Sequence, residues 1–414
     1  MNNPYQLSPD EHETYYREIE AEYLPKSLPR EQPVAIITGG QPGAGKSGIT
    51  DEAKAELAKA GGYVLIDADK LRKHSPQYKP AMLADDRLAA NRTHPDAGAW
   101  ASRLTVAAAE GRRNLIIDQT SKDPKAVEDL AGRLKQAGYK IELRVMSVSE
   151  TVSQLRIASR YETMKAESGF GRYSTRDNHD LAYAGVAQTV ARVEQNKSVD
   201  AIRIYDKNHI PIKENVLQDG EWLHQADAAE RMHAERNRPL TLEERREVAA
   251  GYDELAVMIE APERAATPAE KAEINELRTA AHDSLNLVSR KVAEFEEIKQ
   301  AYQNEEPGIG SIVRQGTLID AELRHEEFSA RNLSAEQIKE IAKKDIEDYS
   351  YLQGKPEQQK LAVLMGGMMG NEHYSSHIKE NTPPDLDAAL EAANVYEQQN
   401  TNEISLSGDR DMEL

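Results

Sequence analysis

The sequence predicts an α/β protein: a three-layer domain with a mainly parallel sheet over residues 33–220, followed by an all-α C-terminal region. Three observations carry this expectation. Short, continuously apolar runs alternate with alanine-rich segments of helical spacing, the pattern of a parallel sheet covered on both faces. A glycine-rich stretch separates the first run from the first of those segments, where α/β sheets hold ligands. Beyond "HIPIKENVLQDG" (209–220) the β-like runs stop and only helical periods continue.

Residues 1–32 read as an N-terminal helical segment. The strands are expected at "VAIIT" (34–38), "YVLI" (63–66), "NLII" (114–117), "IELRVMSV" (141–148) and "AIRIY" (201–205). Helical spacing fills 47–60, 97–110, 124–137, 149–167 and 180–197 between them. An acidic helical domain is expected over 221–400, with helices at 221–237, 241–259, 267–304, 312–330, 334–350, 357–367 and 386–399. The longest opens on Thr267-Pro268, good N-cap and first-turn residues. Its apolar positions from Ile274 through Leu277, Ala281, Leu285 and Val288 then recur at steps of three and four, a stripe suited to packing on other helices. Residues 401–414 are polar and read as a disordered tail.

A chain of 414 residues exceeds one ordinary core, so more than one domain is expected. No run of eighteen apolar residues occurs, and the opening "MNNPYQLSPDEHE" does not read as a secretory leader, so neither a membrane partner nor secretion is expected. The lack of cysteine excludes disulfides and thiolate metal sites and fits a cytoplasmic protein, or one delivered into a target cell. The net charge of -19 is unevenly spread: residues 1–210 carry 30 Lys+Arg against 29 Asp+Glu, so the rest of the chain holds the negative excess. Such an acidic half repels nucleic acid and suits a basic partner.

The run Gly40-Gln41-Pro42-Gly43-Ala44-Gly45-Lys46-Ser47 matches G-x-x-x-x-G-K-[ST] in full and continues into Gly48. Glycines let the backbone turn tightly and aim its N–H groups at phosphate oxygens, with a helix N-terminus behind. Lys46 reaches the β- and γ-phosphates of ATP in this arrangement, and the Ser47 hydroxyl ligates Mg²⁺. A glycine turn that merely ends in Lys-Ser is the bland alternative, but the strand before and the helix after fit the phosphate cradle.

The second run ends "LIDADK", which sets Asp67 and Asp69 at a strand's C-terminal edge. Carboxylates there can hold Mg²⁺ or accept a proton from an attacking hydroxyl. Either can instead cap the next helix, and spacing alone does not choose between them. The third run ends "LIIDQTSK"; Asp118 suits support of Mg²⁺ or a plain helix cap, with Thr120 and Lys122 extending from the same edge toward a substrate. Arg156, Arg160, Arg172 and Arg176 flank a glycine hinge at Gly169 and Gly171, a flap able to close over a γ-phosphate, although any one of them alone reads as a surface arginine.

Taken together, "GGQPGAGKS", "IDADKLRKHSP", "HPDAGAW", "IIDQTSK", "RVMSV", "RYETM" and "HDLAYAGV" resemble the zeta toxin family over about residues 30–215. The resemblance implies a P-loop kinase-like fold and ATP-dependent phosphorylation of the 3′-hydroxyl of the amino sugar of UDP-N-acetylglucosamine, which blocks peptidoglycan precursor synthesis. In its terms Lys46 and Ser47 serve phosphate and Mg²⁺, Asp69 is the general base, and Arg160 and Arg172 attend the transferring phosphoryl group. Asp118 and Thr120 fall where the family contacts the sugar nucleotide, a role different from the Mg²⁺ support read above. Asp118 stands where a glutamate is familiar and Lys122 where an arginine is, which loses the planar fork and leaves room for a related acceptor. The family pairs with a small antitoxin, and the acidic C-terminal half is expected to act in cis as inhibitor, docking module or delivery signal. Two other classes compete: an NTPase coupled to motion of the helical domain, and an interaction protein with a degenerate nucleotide fold. The intact Gly-Lys-Ser speaks against the latter.

Overall fold

The computed structural model describes residues 3–304. Helix α1 (Pro9–Tyr23) starts at Ser8, whose hydroxyl and the Glu11 carboxylate cap each other's backbone N–H. Strand β1 (Val34–Gly39) runs through the glycine loop into α2 (Lys46–Lys59), and β2 (Val64–Asp67) into the short α3 (Ala68–Leu71). Helices α4 (Tyr78–Ala84) and α5 (Ala89–Glu110) lead to β3 (Leu115–Asp118). Then come α6 (Pro124–Gln136), β4 (Lys140–Met146), α7 (Glu150–Ser168), α8 (Arg176–Gln195) and β5 (Ala201–Tyr205). The described chain closes with β6 (Pro211–Gln218), β7 (Glu221–Trp222), α9 (Ala228–Asn237), α10 (Leu242–Glu260) and α11 (Pro268–Asn304).

The strands form one seven-stranded sheet in the order β2-β3-β1-β4-β5-β6-β7. The first five are mutually parallel, while β6 and β7 add antiparallel. Because β1 lies between β3 and β4, their C-terminal ends share one edge, which is where a doubly wound sheet leaves a crevice. Period-two alternation splits the core between the faces. Ala35, Ile37, Leu115, Ile117, Leu143 and Val145 pack with Trp100 and Leu104 of α5 and the apolar faces of α6 and α8. Ile36, Leu65 and Ile116 pack on Ala53 and Leu57 of α2. The fold class is therefore the one expected: mixed α/β, mostly parallel, with helices following the sheet.

The expected helix over 221–237 begins only at Ala228, because β6 and β7 form a hairpin first. Its turn is Asp219-Gly220, both with positive φ (52° and 83°), a pair that favours such a hairpin. Contacts then divide the chain in two. Among the described residues, one unit comprises 3–236 together with Glu247–Ala281, and the other takes Asn237–Arg246 and 282–304. The first unit thus runs past the boundary expected at 220, since Ala228 and Met232 of α9 belong to its main core. Its later segment buries Val248, Ala249, Tyr252, Leu255 and Ile259. In the second unit, Arg238 grips Glu244 with two bonds of 2.7 Å, and Thr241 and Glu244 cap each other's backbone N–H groups. The helices expected at 312–330, 334–350, 357–367 and 386–399, and the tail at 401–414, lie outside the described residues. Among the described residues no helix is long and apolar enough to cross a membrane.

Candidate active site

The glycine loop leaves β1 and turns back on itself before α2. Gly43 has φ 78°, and a Cβ built there would lie 2.0 Å from the carbonyl oxygen of Ser153, so only hydrogen fits. Gly45, in the left-handed region, stands at the N-cap of α2 with no side-chain cap bond. The first-turn N–H groups of a helix begun this way suit an anion. Lys46 donates its Nζ proton to the Gly40 carbonyl at 3.1 Å, across the mouth of the loop. Burial pulls its pKa down; nearby Asp118 and Asp67 oppose that shift, and Arg172 and Arg160 reinforce it. Those four charges and the ammonium share one neighbourhood. Ser47 is exposed at the first turn, Pro42 is half-buried and Ala44 is buried.

Not every loop side chain faces the crevice. Gln41 is buried, donating to the Val148 carbonyl at 2.9 Å and accepting from Arg236 Nη2 at 2.9 Å. Arg236 itself is buried beside the Tyr183 ring, and burial drops its pKa to about 10. On the other flank His209, at the turn after β5, lies 2.9 Å from the Gly45 carbonyl through Nε2. Its ring occupies the space a side chain at residue 48 would need, so Gly48 leaves room for it.

The carboxylates separate by role. Asp67 and Asp118 are register partners at the ends of β2 and β3. Asp67 caps α3, accepting from the N–H groups of Asp69 and Lys70 at 2.9 and 3.2 Å. Asp118 accepts from Thr38 Oγ1 at 3.3 Å and from Thr50 Oγ1 at 3.1 Å, which ties it to β1 and to α2 beneath the loop. Asp69 faces the arginines: one oxygen accepts from Arg72 Nη1 at 2.7 Å and the other from Arg172 Nη2. Of the two carboxylates, Asp67 is the helix cap, and Asp69 is the one paired with arginines.

Arg156 and Arg160 stand one turn apart on α7, so they project to the same side. Arg156 reaches toward the Ala44 carbonyl, and the buried Nε of Arg160 has no hydrogen-bond partner. The buried Nε of Arg72 is likewise without one. Burial lowers the pKa of Arg72, Arg156, Arg160 and Arg172 alike; Arg72 is buried, while the other three are partly covered. A polyanion among them would offset that cost. ATP fits this test; Mg²⁺ is held in such sites by one or two oxygens plus phosphates, and Ser47 and Asp118 are the residues that would supply them. No cluster of three or more acidic or histidine ligands exists among the described residues.

Two expected substrate residues lie on the loop after β3. Thr120 accepts the Gly40 N–H through its carbonyl at 3.0 Å. Lys122 is turned to α8, donating to Asn178 Oδ1 at 2.9 Å.

The family model described as Zeta toxin matches residues 20–215. Residues 20–215 thus carry a zeta toxin domain. It is 28% identical over 204 residues to Toxin PezT of Streptococcus pneumoniae serotype 4, covering 46% of this chain and 80% of the relative. To Toxin zeta of Enterococcus hirae it is 24% identical over 183 residues, which span 44% of this chain and 63% of that protein. A chain solved in the study of the PezAT chromosomal toxin-antitoxin system of Streptococcus pneumoniae superposes with a TM-score of 0.53 at 21% identity. The match covers 62% of this chain and 99% of that one, which establishes a shared fold.

Sequence reasoning about the zeta toxin domain missed Arg72, His209 and Arg236. Arg72 was within reach, since three residues after Asp69 on a helix is a pairing distance. His209 and Arg236 reach the loop from 164 and 195 residues away, and no local pattern announces that.

Proposed function

We propose that this chain is a zeta-toxin-like kinase that transfers the γ-phosphate of ATP to the 3′-hydroxyl of UDP-N-acetylglucosamine. The observation that carries the reading is Asp69 held between Arg72 and Arg172 while Arg172, Arg160 and Asp118 crowd the charge of Lys46. The acceptor hydroxyl oxygen forms a bond to the γ-phosphorus as the bond to the β-bridging oxygen breaks. Its proton passes to the Asp69 carboxylate and ADP departs. Both Asp69 oxygens accept from guanidinium groups. The γ-phosphoryl competes for Arg172, which frees one carboxylate oxygen at the moment the base is needed. Lys46, Arg160 and Arg172 then face the oxygens whose charge grows during transfer. Ser47 and Asp118 are the residues that would hold Mg²⁺, which would supply charge neutralisation there.

One observation favours a related acceptor over this sugar nucleotide. Both Asp118 oxygens are engaged by threonines and Lys122 is engaged by Asn178, so neither is poised toward a sugar. The deciding experiment incubates the full chain with ATP, Mg²⁺ and UDP-N-acetylglucosamine and looks by mass spectrometry for a phosphorylated sugar. Asp69→Asn should abolish that product while ADP still binds. Nucleotide consumption with an unmodified sugar would move the acceptor elsewhere, and an unimpaired Asp69→Asn protein would remove the base. An antitoxin partner, as in the PezAT system of Streptococcus pneumoniae, belongs to the same proposal.

A further inference from the structure

Residues outside the matched zeta toxin segment bond to the surroundings of Arg160 and Arg172. Arg264 ends a single turn, Pro262–Arg264, that follows α10. Its side chain is 8% exposed and that of its partner Glu162 is 6% exposed. Nε donates to Glu162 Oε2 at 2.6 Å and Nη2 to Oε1 at 3.0 Å, a two-pronged grip. The same Nη2 donates to Glu270 Oε1 at 2.8 Å, and that oxygen also accepts from Arg87 Nη2 at 2.7 Å.

From Arg87 the network reaches the flap. Its guanidinium lies 4.6 Å from the centre of the Tyr173 ring and 5.7 Å from that of Tyr161. Next to it, Asp86 accepts from the Tyr161 hydroxyl at 3.0 Å, Lys165 Nζ at 3.1 Å and the Gly171 N–H at 3.0 Å. Gly171 and Tyr173 are the residues on either side of Arg172. Glu162 is two positions after Arg160, about 200° around a helix, so Arg264 grips α7 on the face away from the phosphate loop. One chain of charges therefore fixes the neighbours of both Arg160 and Arg172.

A buried ion pair of this kind contributes little net stability, because desolvation offsets most of the attraction. What it does supply is a single geometry for two elements that must agree in position. We propose that Arg264 and Glu270 are positioning residues for phosphoryl transfer: through Glu162 and Arg87 they hold α7 and the 169–173 flap so that Arg160 and Arg172 converge on the phosphates. This inference rests on the kinase reading above. It gives the segment after 247 a supporting part in turnover, opposite in sign to inhibition, one of the three roles expected of the acidic C-terminal half.

The test is the full-length double variant Glu162→Leu/Arg264→Met, which replaces the pair by apolar groups of similar bulk and leaves no lone buried charge. Turnover should fall by about 10²-fold, the loss a small misplacement causes. ADP affinity and the melting temperature should stay at the wild-type values, and Arg264→Lys should recover part of the loss. Wild-type turnover in the double variant overturns the proposal; so does a loss of turnover matched by equal losses of ADP affinity and melting temperature. Should the wild-type chain transfer no phosphate at all, the kinase reading fails separately, and hydrogen exchange without nucleotide decides the brace. Faster exchange at residues 160–173 with unchanged exchange at 34–48 supports it, and unchanged exchange at both rejects it.

Discussion

The cradle and the closing side of the site are built on opposite principles. Residues 40–48 are contiguous, and what matters there is backbone: a Gly43 that tolerates no Cβ, a helix start without a side-chain cap, and one lysine folded back on a carbonyl. The closing side gathers Asp86, Arg87, Glu162, Arg172, Arg264 and Glu270 from distant parts of the chain, and what matters is side-chain charge. A backbone device is rigid and local. A charge network is adjustable, depends on solution conditions and can fail at any one of its members.

The sharpest way to break the comparison is at Lys46, the cradle's one charged side chain. Lys46→Ala should cut phosphoryl transfer by about 10²–10³-fold, the scale for losing one preorganised donor to developing charge. Nucleotide affinity, read by calorimetry, should weaken with it. A variant that keeps its affinity would mean that the backbone alone holds the phosphates.

Gly43→Ala tests the backbone itself. The added methyl must push away the Ser153 carbonyl and sit at positive φ, at a cost of about 1–3 kcal/mol of strain. A lower melting temperature with impaired nucleotide binding is expected; an unchanged protein would show that the loop yields.

The smallest effect lies on the charge side and appears only in acid. Burial works against the Glu270 carboxylate, but bonds from Arg264 and Thr267 outweigh it and hold the pKa at about 2, against 4.5 ordinarily. A folded value below the unfolded one stabilises fully above pH 4.5 and loses that contribution as pH falls toward 2. Melting temperatures between these limits should therefore drop more steeply for wild type than for Glu270→Gln. Parallel curves would remove Glu270 from the network.

The same contrast explains what could be read from the amino-acid order. The five parallel strands, the phosphate loop and the longer helices between them are legible because each depends on residues close in the chain, whereas the short helices Ala68–Leu71 and Tyr78–Ala84 were not expected. Asp69 and Arg172 were nameable from their motifs, whereas their mutual contact across 103 positions was not. The hairpin at Asp219-Gly220 carried a readable turn signal, yet β6 alternates buried and exposed positions too weakly to announce a strand. Glu162 and Arg264 each look like surface charges in isolation, and only the fold makes them partners.

Arg236 has a practical corollary for anyone trimming this protein. It backs the loop through Gln41, while the Met232 carbonyl takes the Ser147 hydroxyl at 2.9 Å, and both residues lie downstream of the family match. A truncated chain ending at residue 215 would lose the buttress from behind the glycine loop and leave a greasy notch open to water. Silence from such a fragment would report a collapsed floor and would not bear on the expected cis-inhibition.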